Sequence, residues 1–310
     1  MSDVLVVGAG VIGLTSALCL AEAGLDVRIV AAEPPQRTTS RVAGALWGAS
    51  FMQPAEEVGR WLEVSREELG ALAGRPETGV RIAGGVLASR WTEGPPPPEI
   101  FPGARFEEHD APPGFVGAYR AEVPVVDMPR YLDYLVAQLD AAGVPIELRR
   151  IATLADAAAE AGAFVNCTGV GARALADDPS VEAVRGQHVV VENPGIEDFF
   201  VEEQREDVWA GYFPHGRRVV MGGIATPGDW SLEPDPKIAA GIVERCTAVE
   251  PRLRDAPLIE HQVGLRPVRP SVRLEEETIA GARCVHNYGH GGSGVSLSWG
   301  CARAVQSLLA

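Results

Sequence analysis

The feature that most constrains this chain is a glycine-rich turn close to its start. Residues 4–7 form a short, apolar, β-branched run, which is typical of a buried parallel strand. The run is followed by the three glycines of a G-x-G-x-x-G pattern, Gly8, Gly10 and Gly13. Residues 14–23 then continue with helical spacing, and residues 27–30 form a second strand-like run. This order predicts a Rossmann-like, dinucleotide-binding start to the fold.

Each part of the turn has a mechanical role in binding a dinucleotide. Gly8 permits the tight turn, Gly10 lets the backbone approach a pyrophosphate, and Gly13 lets helix and strand pack closely. Free N–H groups at the helix N-terminus suit phosphate. Glu33, 20 residues beyond Gly13, is placed to accept hydrogen bonds from the adenosine ribose. The contacts predicted from the turn are Gly8, Ala9, Gly10, Val11, Ile12 and Gly13. The motif alone does not separate NAD from FAD.

Composition limits the kinds of partner. The 310 residues are 46% hydrophobic and 22% charged, which is ordinary for a globular protein of one large or two interleaved domains. The formal net charge is −15. Binding to phosphate backbones depends on Lys and Arg, so nucleic acid and anionic membranes are unfavourable main partners. The net charge does not exclude a local basic pocket that binds a small anion.

Cysteine and histidine usage argues against a metal site. The five cysteines are widely spaced without C-x-x-C, and the six histidines lack H-E-x-x-H spacing. Buried free thiols in a reducing compartment are the expectation, with a Cys246–Cys284 bridge left open.

The apolar residues 4–21 have no basic residues before them, which favours a buried strand and helix over a signal peptide or membrane helix. The chain ends in Ser-Leu-Leu-Ala, without a peroxisomal tripeptide, and a cytoplasmic location is expected.

The rest of the chain repeats the opening pattern twice. The predicted helices are residues 60–73, 128–142, 155–161, 237–249 and 295–309, and the predicted strands are residues 144–148, 164–169, 189–191, 218–221 and 283–285. Four successive prolines in residues 94–98 predict an extended surface loop. Strand and helix alternate again around 128–170 and 280–310, whereas the stretches between them are β-rich.

This pattern predicts an α/β fold with a discontinuous Rossmann-like dinucleotide domain and a mostly antiparallel, β-rich substrate domain. The predicted dinucleotide domain consists of residues 1–52, 128–176 and 260–310. The predicted substrate domain consists of residues 53–127 and 177–259.

Four further motifs give the chain a family resemblance. They are Thr-Thr-Ser-Arg-Val-Ala-Gly-Ala-Leu-Trp (38–47), Asn-Cys-Thr-Gly-Val (166–170), Gly-Leu-Arg-Pro-Val-Arg-Pro (264–270, with Val-Arg-Leu-Glu at 272–275) and His-Asn-Tyr-Gly-His-Gly-Gly-Ser-Gly-Val-Ser-Leu-Ser-Trp-Gly-Cys (286–301). In order and spacing the chain resembles, end to end, the D-amino acid oxidase family of FAD enzymes, which also contains D-aspartate oxidase. The resemblance implies FAD rather than NAD.

The resemblance also implies further FAD contacts. The hydroxyls of residues 38–40 would reach the pyrophosphate and ribitol, although an ordinary polar loop is the alternative there. Residues 44–46 would run along the isoalloxazine, and residues 294–296 would offer N–H groups to its pyrimidine edge. The implied contacts are Arg37, Thr38, Thr39, Ser40, Gly44, Ala45, Leu46, Ile151 near adenine, Thr168 and Gly169 near the pyrophosphate, Arg266, Gly291, Gly292, Ser293, Gly294, Val295 and Ser296.

Three residues are candidates for the substrate. Arg266 lies in a run braced by prolines, and a guanidinium binds a carboxylate in bidentate fashion. The resemblance implies that Arg266 clamps the substrate α-carboxylate. From the residues alone, a surface salt bridge is an equal alternative for Arg266 or Arg269. We assign Arg269 to a structural role. Tyr212 lines up with a family tyrosine whose hydroxyl meets the same carboxylate, with a core tyrosine as the alternative. The Gly292 carbonyl would accept from the substrate amine.

The chain departs from the animal members of this family in several places. A second tyrosine on their mobile loop corresponds to Val208, with Trp209 beside it, and their glutamine corresponds to Gly48. A lid is therefore in doubt, and the pocket is expected to differ in shape and polarity. His290 is interpreted as a structural, hydrogen-bonded histidine rather than a catalytic base.

The implied reaction is oxidative deamination of a D-amino acid. Hydride transfer to FAD gives an imino acid, which water converts to a 2-oxo acid and ammonia, and oxygen yields hydrogen peroxide. The alternatives are D-aspartate oxidase, a glycine or sarcosine oxidase, and a flavin-binding protein without turnover. D-aspartate oxidase needs a further cation, for which Arg217, Arg218 and His215 are candidates. The oligomeric state stays open, with a homodimer as one arrangement.

Overall fold

One mixed sheet organises the molecule. The computed structural model describes residues 3–48, 52–91, 105–204 and 206–310. The described strands are β1 (Asp3–Val7), β2 (Asp26–Ala31), β3 (Val80–Ser89), β4 (Arg105–His109), β5 (Gly117–Val126), β6 (Ile146–Leu148), β7 (Ala163–Asn166), β8 (Glu182–Glu192), β9 (Phe199–Glu202), β10 (Val208–His215), β11 (Arg218–Ile224), β12 (Thr226–Pro227), β13 (Leu258–Ile279) and β14 (Ala282–His290). The described helices are α1 (Val11–Glu22), α2 (Ala55–Leu72), α3 (Met128–Ala141), α4 (Leu154–Glu160), α5 (Ala172–Leu175), α6 (Pro236–Val249) and α7 (Gly294–Leu309).

The sheet has a parallel part and a mostly antiparallel part. Its strand order is β4-β5-β3-β9-β10-β11-β8-β13-β14-β7-β1-β2-β6, and β12 pairs with β8 beside this path. Strands β14, β7, β1, β2 and β6 are parallel neighbours, as expected where helices cover both faces. Among the described strands, the other neighbouring pairs are antiparallel, with the exception of β3 and β9, which pair in parallel. The sheet runs without a break between the two parts, so the domain boundaries stay a prediction.

Apolar side chains bury the parallel part on both faces. Leu5 and Val6 of β1 are both fully buried although they point to opposite faces. Helix α1 is buried along nearly its whole length and packs against α7. Gly300 in α7 lies so close to the backbone of Trp61 in α2 that a Cβ there would overlap it. This close packing fixes the N-termini of α1 and α7 at the same edge of the sheet.

The antiparallel part has two different faces. One face packs against α6, which Asp235 caps by accepting hydrogen bonds from the N–H groups of Lys237 and Ile238 at 2.7 and 3.3 Å. Phe200, Tyr212 and Met221 belong to the apolar cluster on this face. The opposite face is lined by glycines and turns toward the N-termini of α1 and α7, where it leaves a cavity.

The predicted helices are all present, displaced at their ends by up to five residues. The predicted strands at 189–191 and 218–221 pair in antiparallel fashion within β8 and β11, which confirms that part of the prediction. Two corrections concern the later motifs: β13 extends through residues 264–270, and β14 continues to His290, so the glycine loop before α7 is short. The proline run 94–98 lies outside the described residues.

All five cysteines are buried and carry unpaired thiols, so the Cys246–Cys284 bridge is absent. Within the described ranges, none of the helices combines the length and the apolar character needed to cross a membrane.

Candidate active site

A large cavity runs along the glycine-lined face of the sheet. Its volume is about 960 Å³. One end lies at the Gly8 turn and Glu33, and the other lies at Arg266 and Trp209. Almost every residue predicted to hold the cofactor lines this cavity: Gly8, Ala9, Gly10, Val11, Ile12, Glu33, Arg37, Thr38, Thr39, Ser40, Gly44, Ala45, Leu46, Ile151, Thr168, Gly169, Arg266, Gly291, Gly292, Ser293, Gly294, Val295 and Ser296.

The Gly8 turn has the close backbone approaches that a dinucleotide site requires. Gly8 adopts φ +115° under the carbonyl of Cys167, where a Cβ would overlap that oxygen. Gly13 does not line the cavity; a Cβ there would overlap the Gly8 carbonyl, so its glycine serves packing. The Val11 N–H donates to Ser40 Oγ at 3.0 Å. The turn and the N-terminus of α1 therefore leave a cradle of backbone N–H groups that fits a pyrophosphate.

Threonines beside this cradle are already engaged within the protein. Thr38 donates its hydroxyl to the Pro35 carbonyl at 2.7 Å, and Thr39 donates to the Leu265 carbonyl at 3.2 Å. Thr168 donates through its hydroxyl and its N–H to Asn166 Oδ1, at 2.7 and 3.3 Å. These hydroxyls keep their oxygen lone pairs, whereas the hydroxyl proton of Ser40 has no acceptor among the described residues and is left for a ligand.

The far side of the cradle carries several charges. Glu33 follows the end of β2, and Arg37 Nε lies 3.3 Å from Glu33 Oε2. Arg149, Arg150 and Ile151 follow the carboxyl end of β6 and line the same end of the cavity. We did not predict the two arginines, although ligands in such folds bind at the carboxyl ends of parallel strands.

Residues 42–46 form a segment that we name the strap, and it lies along the middle of the cavity. Ala45 has φ +26°, and its carbonyl accepts from the Val126 N–H at 2.9 Å. Ser296, in the first turn of α7, donates its hydroxyl to the Leu46 carbonyl at 3.4 Å. No described residue accepts a hydrogen bond from the N–H groups of Gly44, Ala45 or Leu46, which suits a planar ligand with acceptor atoms at its edge.

Arg266 places a buried positive charge at the other end of the cavity. Its guanidinium covers Gly186, where a Cβ would lie 2.7 to 2.8 Å from the guanidinium atoms. Nη1 donates to the Ile224 carbonyl at 2.9 Å, and the centre of the Trp209 ring lies 5.7 Å from Cζ. Burial lowers the pKa of Arg266 to about 10. Among the described residues no carboxylate pairs with this cation, so the site is suited to an external anion.

Arg269, three residues later, has a different environment. Its Nε donates to Asp178 Oδ2 at 2.9 Å, and Tyr288 donates its hydroxyl to the same oxygen at 2.8 Å. The contrast between the two arginines places Arg269 in a structural ion pair. Gly292 lies beside Arg266, since a Cβ on Gly292 would lie 3.5 Å from Arg266 Cδ.

The prediction for Tyr212 is wrong. On β10 the side chains of Trp209 and Phe213 face the cavity, so Tyr212 points to the opposite face. There its ring stacks on Phe200 with centroids 5.7 Å apart, and burial raises its pKa. A shift of one residue along a strand exchanges the two faces, and alignment by sequence alone did not resolve that register.

The hydrogen bonding expected of His290 is missing at one ring nitrogen within the described part of the chain, whereas its exclusion as a catalytic base stays a prediction. His290 is 2% exposed in the cavity wall, and its Nε2 has no hydrogen-bond partner among the described residues. Burial lowers its pKa to about 3, so the ring is neutral. A buried, unpaired nitrogen is costly, which is consistent with a position that a bound group or water completes.

Sequence reasoning also missed cavity residues on three strands of the antiparallel part. Tyr119 of β5, His188 of β8 and Phe213 of β10 line the cavity. The residues next to them in sequence do not indicate this position, because the three side chains come together only through the register between strands. Within the described ranges, no group of three or more His, Cys, Asp or Glu side chains converges as metal ligands do.

Comparison with known proteins decides the family. A model of the family described as FAD dependent oxidoreductase, DAO, matches residues 3–308. The chain belongs to this family. Its members' FAD dependence agrees with the cradle, the strap and the helix N-termini around the cavity.

Individual relatives cover nearly the whole chain. A D-amino-acid oxidase from Rubrobacter xylanophilus is 48% identical over 98% of this chain and 94% of its own length. A D-amino-acid oxidase from Streptomyces coelicolor is 44% identical over 99% of this chain and 96% of its own length. The crystal structure of glycine oxidase from Geobacillus kaustophilus has a TM-score of 0.82 at 20% identity, covers 100% of this chain and 95% of its own, and supports the fold alone.

Proposed function

We propose that this protein is a D-amino-acid oxidase that uses FAD to deaminate D-amino acids oxidatively. The observation that carries the proposal is Arg266, a buried guanidinium without a carboxylate partner among the described residues, in the cavity that also holds the Gly8 cradle. A small carboxylate bound there would form charge-assisted hydrogen bonds in a water-poor site. The two relatives named D-amino-acid oxidase support the same reaction.

The protein's own residues bind and orient the substrate. Arg266 would hold the α-carboxylate, and the bond from Nη1 to the Ile224 carbonyl fixes the guanidinium plane. The Gly292 carbonyl would accept a hydrogen bond from the amine. When bound, FAD supplies the hydride acceptor, and its reoxidation by molecular oxygen releases hydrogen peroxide. Trp209 and Phe213 form an apolar wall that excludes water from this end of the cavity.

The cations available in the cavity favour this substrate class over D-aspartate. Recognition of a second carboxylate needs another cation near Arg266. The lining arginines other than Arg266 lie near Glu33, at the opposite end: Arg37, Arg149 and Arg150. Of the residues considered for that role, Arg218 pairs with Asp127, and His215 contacts the Gly44 carbonyl at 3.3 Å. Arg217, Arg218 and His215 are absent from the described cavity wall.

A peroxide-coupled assay with a panel of amino acids tests the proposal. We expect turnover of D-alanine, with little turnover of L-alanine, D-aspartate, glycine or sarcosine. Turnover of D-aspartate above D-alanine would replace the proposal with a D-aspartate oxidase, and turnover of glycine or sarcosine alone with an amine oxidase of that type. A yellow protein that no amino acid bleaches without oxygen would indicate a flavin-binding protein without turnover. The homodimer and the cytoplasmic location stay predictions.

A further inference from the structure

The backbone carbonyls of the strap are held by donors from several directions. The carbonyls of Ala45 and Leu46 accept from the Val126 N–H and the Ser296 hydroxyl. Those of Val42 and Gly44 lie against two histidine rings on the sheet. Four carbonyls of the strap therefore have hydrogen-bond partners within the protein. The N–H groups of Gly44, Ala45 and Leu46, in contrast, have none among the described residues.

His188 contacts the first of these carbonyls. Its ring lies over Gly222 of the neighbouring strand, where a Cβ would be 2.8 Å from Nε2 and closer still to Cδ2. Nδ1 lies 2.8 Å from the Val42 carbonyl oxygen. Because a carbonyl can only accept, the proton of this bond belongs to Nδ1. Glycine at 222 is therefore what allows the ring to reach the strap.

His215 contacts the second carbonyl from the end of β10. Its Nε2 lies 3.3 Å from the Gly44 carbonyl oxygen, and the side chain is 6% exposed. By the same reasoning the proton of this bond belongs to Nε2. Phe213 packs on Gly44 from the same strand, since a Cβ on Gly44 would lie 2.7 Å from the ring. The two histidines thus bind the strap through different ring nitrogens.

Both rings are neutral near neutral pH. Burial, together with the nearby Arg266 cation, lowers the pKa of His188 to about 4. Burial also lowers the pKa of His215 to about 4. The negative charge of Asp127 raises this pKa, whereas the positive charges of Arg218 and Arg81 lower it. A neutral imidazole has one N–H, and in each ring it is used for the strap.

We propose that His188 and His215 are positioning residues for the cofactor: they fix the strap by its carbonyls, so that the N–H groups of residues 44–46 remain available to the flavin. Neither histidine needs to touch the reacting atoms. The inference rests on FAD binding by the family and not on which amino acid is oxidised, so it survives if the substrate class is different.

Two pairs of variants test this inference. Asparagine places its amide nitrogen near the position of Nδ1, and glutamine places it near Nε2. We expect His188→Asn to release FAD like the wild type when the holoenzyme is diluted, while His188→Gln raises the FAD dissociation constant about tenfold. At 215 the order reverses: His215→Gln resembles the wild type and His215→Asn loses about tenfold. Flavin fluorescence measures the release, and the midpoint potential of the bound flavin gives a second readout.

Equal behaviour of asparagine and glutamine at each position would overturn the proposal, because side chains that only fill space do not show this exchange. A measurement on the wild-type holoenzyme covers the case in which a variant does not fold. Nitrogen-15 shifts of labelled histidines identify the neutral tautomers. The proposal requires Nδ1–H for His188 and Nε2–H for His215, and the opposite tautomer at either residue contradicts it.

Discussion

The two ends of the cavity are built by different means. At the Gly8 end the binding groups are backbone N–H groups, and the glycines that expose them lie within six consecutive residues, 8–13. At the Arg266 end the wall is built from side chains that lie over glycines of neighbouring strands: Gly186 under Arg266, Gly222 under His188 and Gly223 under Trp209. The first end depends on local sequence, whereas the second depends on the register of β8, β10, β11 and β13.

The ends also differ in their treatment of charge. Arg37 pairs with Glu33, and Arg149 pairs with Glu147 and Glu160, so much of the positive charge near the cradle is balanced. Arg266 has no such partner among the described residues. A protein of net charge −15 would thereby bind a small anion through a buried cation that no described carboxylate compensates. Four predictions test this division, in order of decreasing effect.

Removing the Arg266 cation gives the largest expected effect. In Arg266→Ala, kcat/KM for D-alanine should fall by about 10³-fold, because a buried, charge-assisted and bidentate interaction is lost. The affinity for FAD should change by less than about threefold, since the cradle lies at the other end. Steady-state kinetics and flavin release measure the two quantities.

The exposed Arg60, which pairs with Glu56 on α2, provides the matched control as Arg60→Ala, with unchanged kinetics expected. An unchanged kcat/KM in Arg266→Ala would show that Arg266 does not bind the substrate carboxylate. A parallel loss of FAD would instead show that the two ends are not separate.

The second-largest effect is expected from a substitution that fills the space around Gly13, behind the cradle. In Gly13→Ala the new methyl group would overlap the Gly8 carbonyl, so the turn must move. We expect FAD binding to weaken about 100-fold, which corresponds to about 3 kcal/mol. Gly59→Ala is the control, because no described atom outside the adjacent backbone of α2 lies within 4 Å of its Cβ position. That variant should gain about 0.5–1 kcal/mol in free energy of unfolding. Wild-type affinity in Gly13→Ala contradicts the packing role.

The third prediction concerns acid and His290. Burial lowers its folded pKa to about 3, below the ordinary value of about 6.5, so the folded state keeps the ring neutral. The unfolded chain takes up the proton first as pH falls. The stabilisation is therefore complete above pH about 6.5 and declines below it, by about 1.4 kcal/mol per pH unit.

Urea unfolding at pH 7 and pH 5.5 measures this decline. In His290→Phe the decline should be smaller by the contribution of one histidine, about 1 kcal/mol over this interval. An identical decline in the variant and the wild type would show that His290 is not held neutral by the fold.

The smallest effect is expected at Tyr212. Its hydroxyl lies on the α6 side of the sheet, away from the cavity, so Tyr212→Phe should keep kcat and KM for D-alanine within about twofold. A loss of tenfold or more in kcat/KM would mean that the tyrosine reaches the substrate after all. Steady-state kinetics of this variant thus check the register of β10 directly.

The same division explains how much of the molecule the sequence predicted. The strand, turn and helix from β1 to α1 depend on neighbouring residues, and they lie where the G-x-G-x-x-G pattern put them. The 22 residues of β13 were not recognised as a strand, because Pro267 and Pro270 interrupt its pattern. The orientation of Tyr212 and the position of His188 depend on pairing with strands distant in sequence. No local pattern carries that information.

The most direct test of the account is an anaerobic titration of the wild-type holoenzyme and of Arg266→Ala with D-alanine and L-alanine, followed by flavin absorbance. We expect D-alanine to bleach the wild-type flavin and L-alanine to leave it unbleached. The variant should keep its FAD but bleach about 10³-fold more slowly at low D-alanine. Bleaching by L-alanine but not by D-alanine, or equal bleaching of the variant and the wild type, would contradict this expectation.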